Sequence, residues 1–151
     1  MIKIKYGDLL EATEDMICHQ CNTEGIFGGG IAYQIRKKWP DCADRAKEFA
    51  KVFGSEEVLG KVYYWSTIGK TVCNCFTQNE DFSTNYEKLE SAFTEILSIC
   101  KQEGLSVAVP YMYGCGIASG DWNVVLDIFI KLSTKLGVDI TLYYFKVKDG
   151  E

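Results

Sequence analysis

Twice along the chain a strand-like apolar run leads through a glycine-rich loop into a helix-periodic segment. The first passage is Met16–Cys21, then Asn22-Thr-Glu-Gly-Ile-Phe-Gly-Gly-Gly30, then a helix beginning near Ile31. The second is Leu105–Met112, then Gly114-Cys-Gly-Ile-Ala-Ser-Gly120, then a helix from Asp121 to Leu136. Strands that alternate with helices in this way belong to α/β folds. In such sheets ligands bind outside the carboxyl ends of the strands, where these loops gather.

The remaining segments fit the same plan. Ile2–Tyr6 alternates as a strand, and the nearly unbroken apolar run Leu105–Met112 predicts burial on both faces of a sheet. Ile31, Ile35 and Trp39 repeat at helical spacing until Pro40, and Asp41 is the expected N-cap of a second helix closed by Gly54. Lys61–Ser66 and Thr71–Phe76 form a hairpin through Ile68-Gly69-Lys70. Thr84-Asn-Tyr-Glu87 reads as a capping box for a helix ending at Gly104, and Val138–Lys146 as the last strand. The expectation is one domain, residues 1–151, built as a three-layer α/β/α sandwich on a mixed, mostly parallel central sheet.

With 151 residues the chain has the length of one domain, and its 47% hydrophobic and 25% charged residues are ordinary globular composition. Its apolar runs fall short of the ~18 residues of a membrane span. Alternation from Met1 argues against a leader, so a cytoplasmic location is expected. The formal charge of −5 disfavours nucleic acid as a partner, since sequence-independent binding needs a basic face. An anionic small molecule stays open, because backbone N–H groups bind anions without lysine. Seven cysteines, an odd count, favour reduced thiols. Cys18-His-Gln-Cys21 has C-x-x-C spacing, but on a strand its two thiols point to opposite faces and cannot close one tetrahedral metal site. Cys73 and Cys75 share a strand face and suit buried apolar positions. Neither a metal nor another cofactor is expected.

Glycines let backbone approach a ligand closely, and a following helix N-terminus offers unpaired N–H groups. Gly114, Gly116 and Gly120 could equally serve tight turns; three in succession, Gly28, Gly29 and Gly30, exceed what a turn needs. Neither loop ends as a P-loop does, and neither holds a complete G-x-G-x-x-G. His19, the only imidazole, is either a satisfied structural residue or a catalyst beside the first loop. Asp8 after the first strand is either a helix-start residue or an acceptor for a ligand amine, and Asn22 either caps a turn or holds a ribose hydroxyl.

These residues together resemble a macrodomain, the ADP-ribose-binding α/β module. The resemblance runs over nearly the whole chain through Gly7-Asp8-Leu9, His19-Gln-Cys-Asn22, Gly28-Gly-Gly-Ile-Ala-Tyr-Gln34, Val109-Pro110, Gly114-Cys-Gly-Ile117 and Trp122. Asn22 to Gln34, with Trp39-Pro40 and Gly54…Leu59-Gly-Lys61, most resembles the ADP-ribose-1″-phosphate phosphatase branch. The resemblance implies that Asp8 accepts from the adenine amine, with Leu9 giving a neighbouring backbone contact. Gly28, Gly29, Gly30 and Ile31 would wrap the distal ribose and one phosphate. Gly114, Cys115, Gly116, Ile117 and Ala118 would donate N–H groups to the diphosphate. Phe145, or else Tyr144, would flank adenine, and Asn22 would face the distal ribose.

The branch that removes ADP-ribose from glutamate uses a lysine nucleophile, and the matching stretch here, Thr77-Gln-Asn-Glu80, has none; Ala118 stands where that branch has aspartate. The phosphatase-like branch has a histidine matching His19, so the expected catalytic residues are His19, as general acid/base or else as nucleophile at the 1″-phosphate, and Asn22. Glu24 is a candidate to orient the imidazole. The expected function is ADP-ribose binding with hydrolysis of ADP-ribose-1″-phosphate (Appr-1-p processing) by a monomeric phosphatase. The alternatives are a hydrolase performing de-ADP-ribosylation of a modified macromolecule with a positioned water, or a non-catalytic ADP-ribose reader.

Overall fold

The computed structural model describes residues 1–116 and 118–145. Strand β1 (Ile2–Tyr6) leads through a single 3₁₀ turn, Leu9–Glu11, to β2 (Met16–Cys21). Helices α1 (Gly30–Lys38) and α2 (Pro40–Phe53) follow, then a short α3 (Ser55–Val58) that the sequence did not announce. The hairpin β3 (Val62–Thr67) and β4 (Lys70–Phe76) turns at Gly69, whose φ of +70° suits glycine. Helix α4 (Tyr86–Glu103), β5 (Val107–Pro110), α5 (Trp122–Leu136) and β6 (Ile140–Tyr144) complete the chain. Among the described residues no helix is long and apolar enough to cross a membrane.

The six strands form one sheet in the order β1-β6-β5-β2-β4-β3, parallel throughout except for the β3–β4 hairpin. Helices cover both faces, giving the three-layer sandwich on a mixed sheet. Under α4 and α5, Phe93 and Phe129 meet edge-on at 4.8 Å over Cys18, Cys73, Cys75, Val107, Val109 and Ile140. Under α1 and α2, Ile35, Cys42, Ala46 and Ala50 pack with Leu9 and Leu10 over Ile17, Cys21, Val72 and Phe76. Each large side chain so enclosed is worth roughly 1.5–3 kcal/mol over exposure. Cys18 and Cys21 therefore lie in cores on opposite sides of the sheet, as alternation along β2 requires.

Several boundaries differ from expectation for local reasons. Pro40 opens α2 instead of merely ending α1, since its fixed φ suits a first helical turn. Asp41 is consequently not the cap; its carboxylate accepts from Trp65 Nε1 at 2.9 Å. The cap of α4 is Asn85, which accepts from Lys88 N at 3.0 Å, while Thr84 turns its hydroxyl elsewhere. β5 is shorter than Leu105–Met112, because Met112 at φ +65° has already entered a turn. β6 begins at Ile140 and ends at Tyr144; Lys146 lies outside the described residues.

Candidate functional site

Three adjacent parallel strands, β5, β2 and β4, release their carboxyl-terminal connections at one edge of the sheet. Between those connections lies a cleft of about 700 Å³. Its walls include Asn22, Ile26, Gly28, Gly29, Gly30, Ile31 and Ala32 from the first glycine loop, and Tyr111 to Gly116 with Ala118 from the second. His19, Gln20 and Cys21 at the end of β2 lie between them, with Gln78 and Phe82 from the β4–α4 connection. No described lining residue carries Lys, Arg, Asp or Glu, so an anion held here would meet backbone N–H groups and dipoles.

The first loop supplies those donors. Gly29 precedes α1 with no side-chain cap, and Tyr33 N is the first amide to reach back, to Gly29 O at 3.2 Å. The amides of Gly30, Ile31 and Ala32 thus have no helical carbonyl and sit at the positive end of the helix dipole. Asn22 shapes the approach to them. Its Oδ1 accepts from Glu24 N at 3.2 Å and Ile26 N at 3.1 Å, and its Nδ2 donates to Ile26 O at 2.8 Å. That side chain caps the turn, the first of its two expected roles, while still lining the cleft. Gly25, at φ +67°, touches α2 where a Cβ would meet Ala46 O at 2.9 Å.

His19 is only 1% exposed. It shares its β2 face with Ile17 and Cys21, and Phe27 packs edge-on against its ring at 5.0 Å. Its Nε2 lies 2.6 Å from Oδ1 of Asn74, its register partner on β4. Burial pushes the imidazole down to about 4, against the smaller opposing effect of the Asn74 bond, so the ring is neutral at physiological pH. A neutral imidazole has one N–H donor and one lone pair, so it can donate or accept a hydrogen bond but brings no positive charge to a leaving group. Glu24, the carboxylate candidate for orienting it, is exposed in the 22–26 turn, and Asn74 holds the ring instead.

The second loop is tied to the β4–α4 connection. Thr84 Oγ1 donates to Gly114 O at 2.6 Å, and Gly120 N donates to the same carbonyl at 2.9 Å. Gln20 Nε2 donates to Thr77 Oγ1 at 3.0 Å, which shares a 2.6 Å bond with Tyr113 OH. The loop amides are partly committed internally, with Cys115 N donating to Met112 O at 2.9 Å. Phe82, Met112 and Ser119 all have positive φ, a costly backbone for non-glycine residues, and Phe82 and Met112 line the cleft.

Other expected contacts fall differently. Asp8 lies outside the cleft lining; its carboxylate accepts from Leu10 N at 2.9 Å and caps the 3₁₀ turn. Leu9 is buried in the core under α1 and α2. Phe145, beyond β6, is 64% exposed and does not line the cleft. Ile117 lies outside the described residues. Gln20, Gln78, Phe82, Tyr111 and Tyr113 line the cleft without having been singled out. Tyr111-Met-Tyr113 directly after Pro110 was the available signal, an aromatic cluster at the end of an apolar strand.

The Macro domain family model matches residues 18–129, a stretch that holds both glycine loops. A DNA ADP-ribosyl transferase-DNA ADP-ribosyl glycohydrolase fusion protein of Thermosipho africanus is 23% identical over 156 residues, covering 91% of this chain and 40% of that protein. An ADP-ribose 1″-phosphate phosphatase of Saccharomyces cerevisiae is 32% identical over 76 residues, covering 48% of this chain and 42% of that protein. The chain thus spans less than half the length of either relative. The macrodomain of Mycobacterium tuberculosis DarG superposes with a TM-score of 0.82 at 25% identity, covering 95% of this chain and 97% of the other.

Proposed function

Because the chain belongs to the Macro domain family, we propose that its cleft binds ADP-ribose and that it hydrolyses the phosphate of ADP-ribose 1″-phosphate. The observation that carries this reading is the uncapped first turn of α1, opening through three successive glycines onto a cleft with no charged described side chain. Such a wall suits a ligand that brings its own phosphates. The names of both curated relatives contain the ADP-ribosyl unit, which supports that ligand over other phosphate esters.

Phosphoryl transfer asks little covalent chemistry of a protein; positioning and electrostatic stabilisation supply most of the acceleration. Water would attack phosphorus, the bond from phosphorus to the sugar oxygen would break, and a proton from water would end on the departing hydroxyl. The amides of Gly30, Ile31 and Ala32 would donate to the phosphoryl oxygens as charge builds there. Asn22 would hold the loop that presents the sugar, and His19 would act as a neutral hydrogen-bonding group.

A second reading, hydrolysis of an ADP-ribosyl group from a macromolecule, is favoured by the relative named for DNA ADP-ribosyl glycohydrolase activity, which aligns with 91% of the chain. Its reaction would use a positioned water, since Thr77-Gln-Asn-Glu80 offers no lysine. The deciding experiment presents purified protein with ADP-ribose 1″-phosphate, ADP-ribosylated protein and ADP-ribosylated DNA, with ADP-ribose affinity measured by calorimetry. Phosphate release from the first substrate is expected. Release of ADP-ribose from a macromolecule without phosphate release would replace the first reading with the second. Binding with neither reaction would leave an ADP-ribose reader.

A further inference from the structure

The β4–α4 connection folds as a small hairpin. Gln78 and Thr84 form an antiparallel bridge, and inside it Asn79 N donates to Ser83 O at 2.7 Å. Phe82 N donates to Asn79 O at 2.8 Å, closing a turn over Glu80 and Asp81. A three-residue hairpin loop of this kind ends on a left-handed residue, a place that favours glycine. Phe82 occupies it here, at φ +69°. Little packing offsets that cost, because Phe82 is 57% exposed. Backbone and burial both argue against phenylalanine at this position, yet the residue lines the cleft.

The tip that carries Phe82 is braced by its own side chains. Asp81 Oδ1 accepts from Ser83 N at 3.0 Å and from Ser83 Oγ at 2.6 Å, and Asn79 Nδ2 donates to Ser83 Oγ at 3.0 Å. Asn85, the cap of α4, donates from Nδ2 to Asn79 Oδ1 at 2.9 Å. Strand order then relates the tip to the rest of the cleft. β2 lies between β5 and β4, so the amides of Gly30, Ile31 and Ala32, which follow β2, stand between the two sides. On the β5 side, Tyr111 meets Tyr144 edge-on at 5.2 Å and Trp122 at 5.1 Å, an aromatic wall suited to a flat base. With the diphosphate on the amides and the base on that wall, the second sugar extends to the β4 side. A phenyl ring there has no donor or acceptor for a phosphate, but it suits the C–H face of a sugar.

We propose that Phe82 is a specificity-determining residue whose ring packs against the ribose beyond the diphosphate, so that the cleft prefers ADP-ribose to ADP. The proposal rests on the ADP-ribose reading, because that ligand supplies the second sugar. Calorimetry with ADP-ribose and with ADP tests it on the parent protein and three variants. Phe82→Ala should weaken ADP-ribose about tenfold, the scale of one aromatic contact, and leave ADP unchanged. Phe82→Tyr keeps the ring and should keep the affinity. Phe82→Gly adopts the left-handed turn freely and should bind as weakly as the alanine variant. Parent-like affinity in the glycine variant would place the effect in the turn and overturn the proposal. So would parent-like ADP-ribose affinity in Phe82→Ala, or an equal loss for ADP.

Nuclear Overhauser contacts between ¹³C-labelled phenylalanine rings and bound ADP-ribose decide the matter even where ADP binds too weakly for calorimetry. Phe82→Tyr identifies the Phe82 resonance among the eight phenylalanines. Contacts to protons of the terminal ribose are expected; contacts to adenine protons alone overturn the proposal. A parent protein that binds no ADP-ribose fails the ligand reading itself, whereas equal binding by the parent and Phe82→Ala fails only the ring contact.

Discussion

Thr84 Oγ1 donates to Gly114 O at 2.6 Å, joining the β4–α4 connection to the second glycine loop. Around that bond the glycines are not interchangeable. A Cβ on Gly120 would stand 2.5 Å from Gly114 O and 3.2 Å from Thr84 Oγ1, whereas one on Gly116 would meet nothing within 4 Å. Gly120→Ala should therefore cost about 2 kcal/mol, typical of an overpacked site. Gly116→Ala should stay within about 0.5 kcal/mol of the parent. Urea denaturation of both variants checks the contrast, and equal stabilities would mean that the loop closes differently.

Thr84→Val tests the hydroxyl itself. Gly114 O would keep its bond from Gly120 N, and Gln20 Nε2 would keep Thr77, so no polar group is orphaned. The expected loss is about 1 kcal/mol, one net hydrogen bond. Because Gly114 lines the cleft, ADP-ribose affinity should fall alongside stability. A stability loss with unchanged affinity would show that the second loop does not touch the ligand.

The buried imidazole makes stability depend on pH. His19 titrates at about 4 in the folded chain, against an ordinary value near 6.5, so between those values the unfolded chain holds a proton that the folded one refuses. Its contribution is complete above pH 6.5 and is lost as pH falls toward 4, by about 3 kcal/mol in all. His19→Leu should flatten that part of the curve when unfolding is followed from pH 7 to pH 4. The same slope in both proteins would place the titration elsewhere. For the reaction, a rate limb near pH 6.5 in the wild type that disappears in His19→Leu would restore a titrating catalytic histidine.

What could be read from the chain divides along the range of the interactions. The two strand, glycine-loop, helix passages were legible because β-branched runs, glycines and helical spacing are local. So was the separation of Cys18 from Cys21, which follows from strand alternation. The pairing of His19 with Asn74 was not: 55 residues separate them, and their contact depends on β2 and β4 lying in one register. Glu24 was the nearer carboxylate in sequence and the wrong partner in space. The cap of α4 moved by one residue because Thr84 had a tertiary acceptor in Gly114 O, which no capping pattern encodes. Phe82 and Met112 entered the cleft through positive φ, a conformation that their side chains do not advertise.

That backbone conformation yields the last prediction. Met112 lines the cleft at φ +65° and is 42% exposed, so little packing would compensate its left-handed backbone. Glycine adopts this region freely, whereas a residue with Cβ gives up roughly 1–2 kcal/mol there. Met112→Ala and Met112→Gly both delete the thioether wall, but only glycine relieves the backbone. Relief is partly offset by glycine's greater freedom in the unfolded chain, about 0.5–1 kcal/mol. Met112→Gly should therefore be more stable than Met112→Ala by up to about 1 kcal/mol, while the two bind ADP-ribose equally and more weakly than the parent. Urea denaturation and calorimetry on the pair separate the two effects. An alanine variant more stable than the glycine one would mean that residue 112 is not left-handed in solution. Parent-like affinity in both would remove Met112 from the ligand's wall.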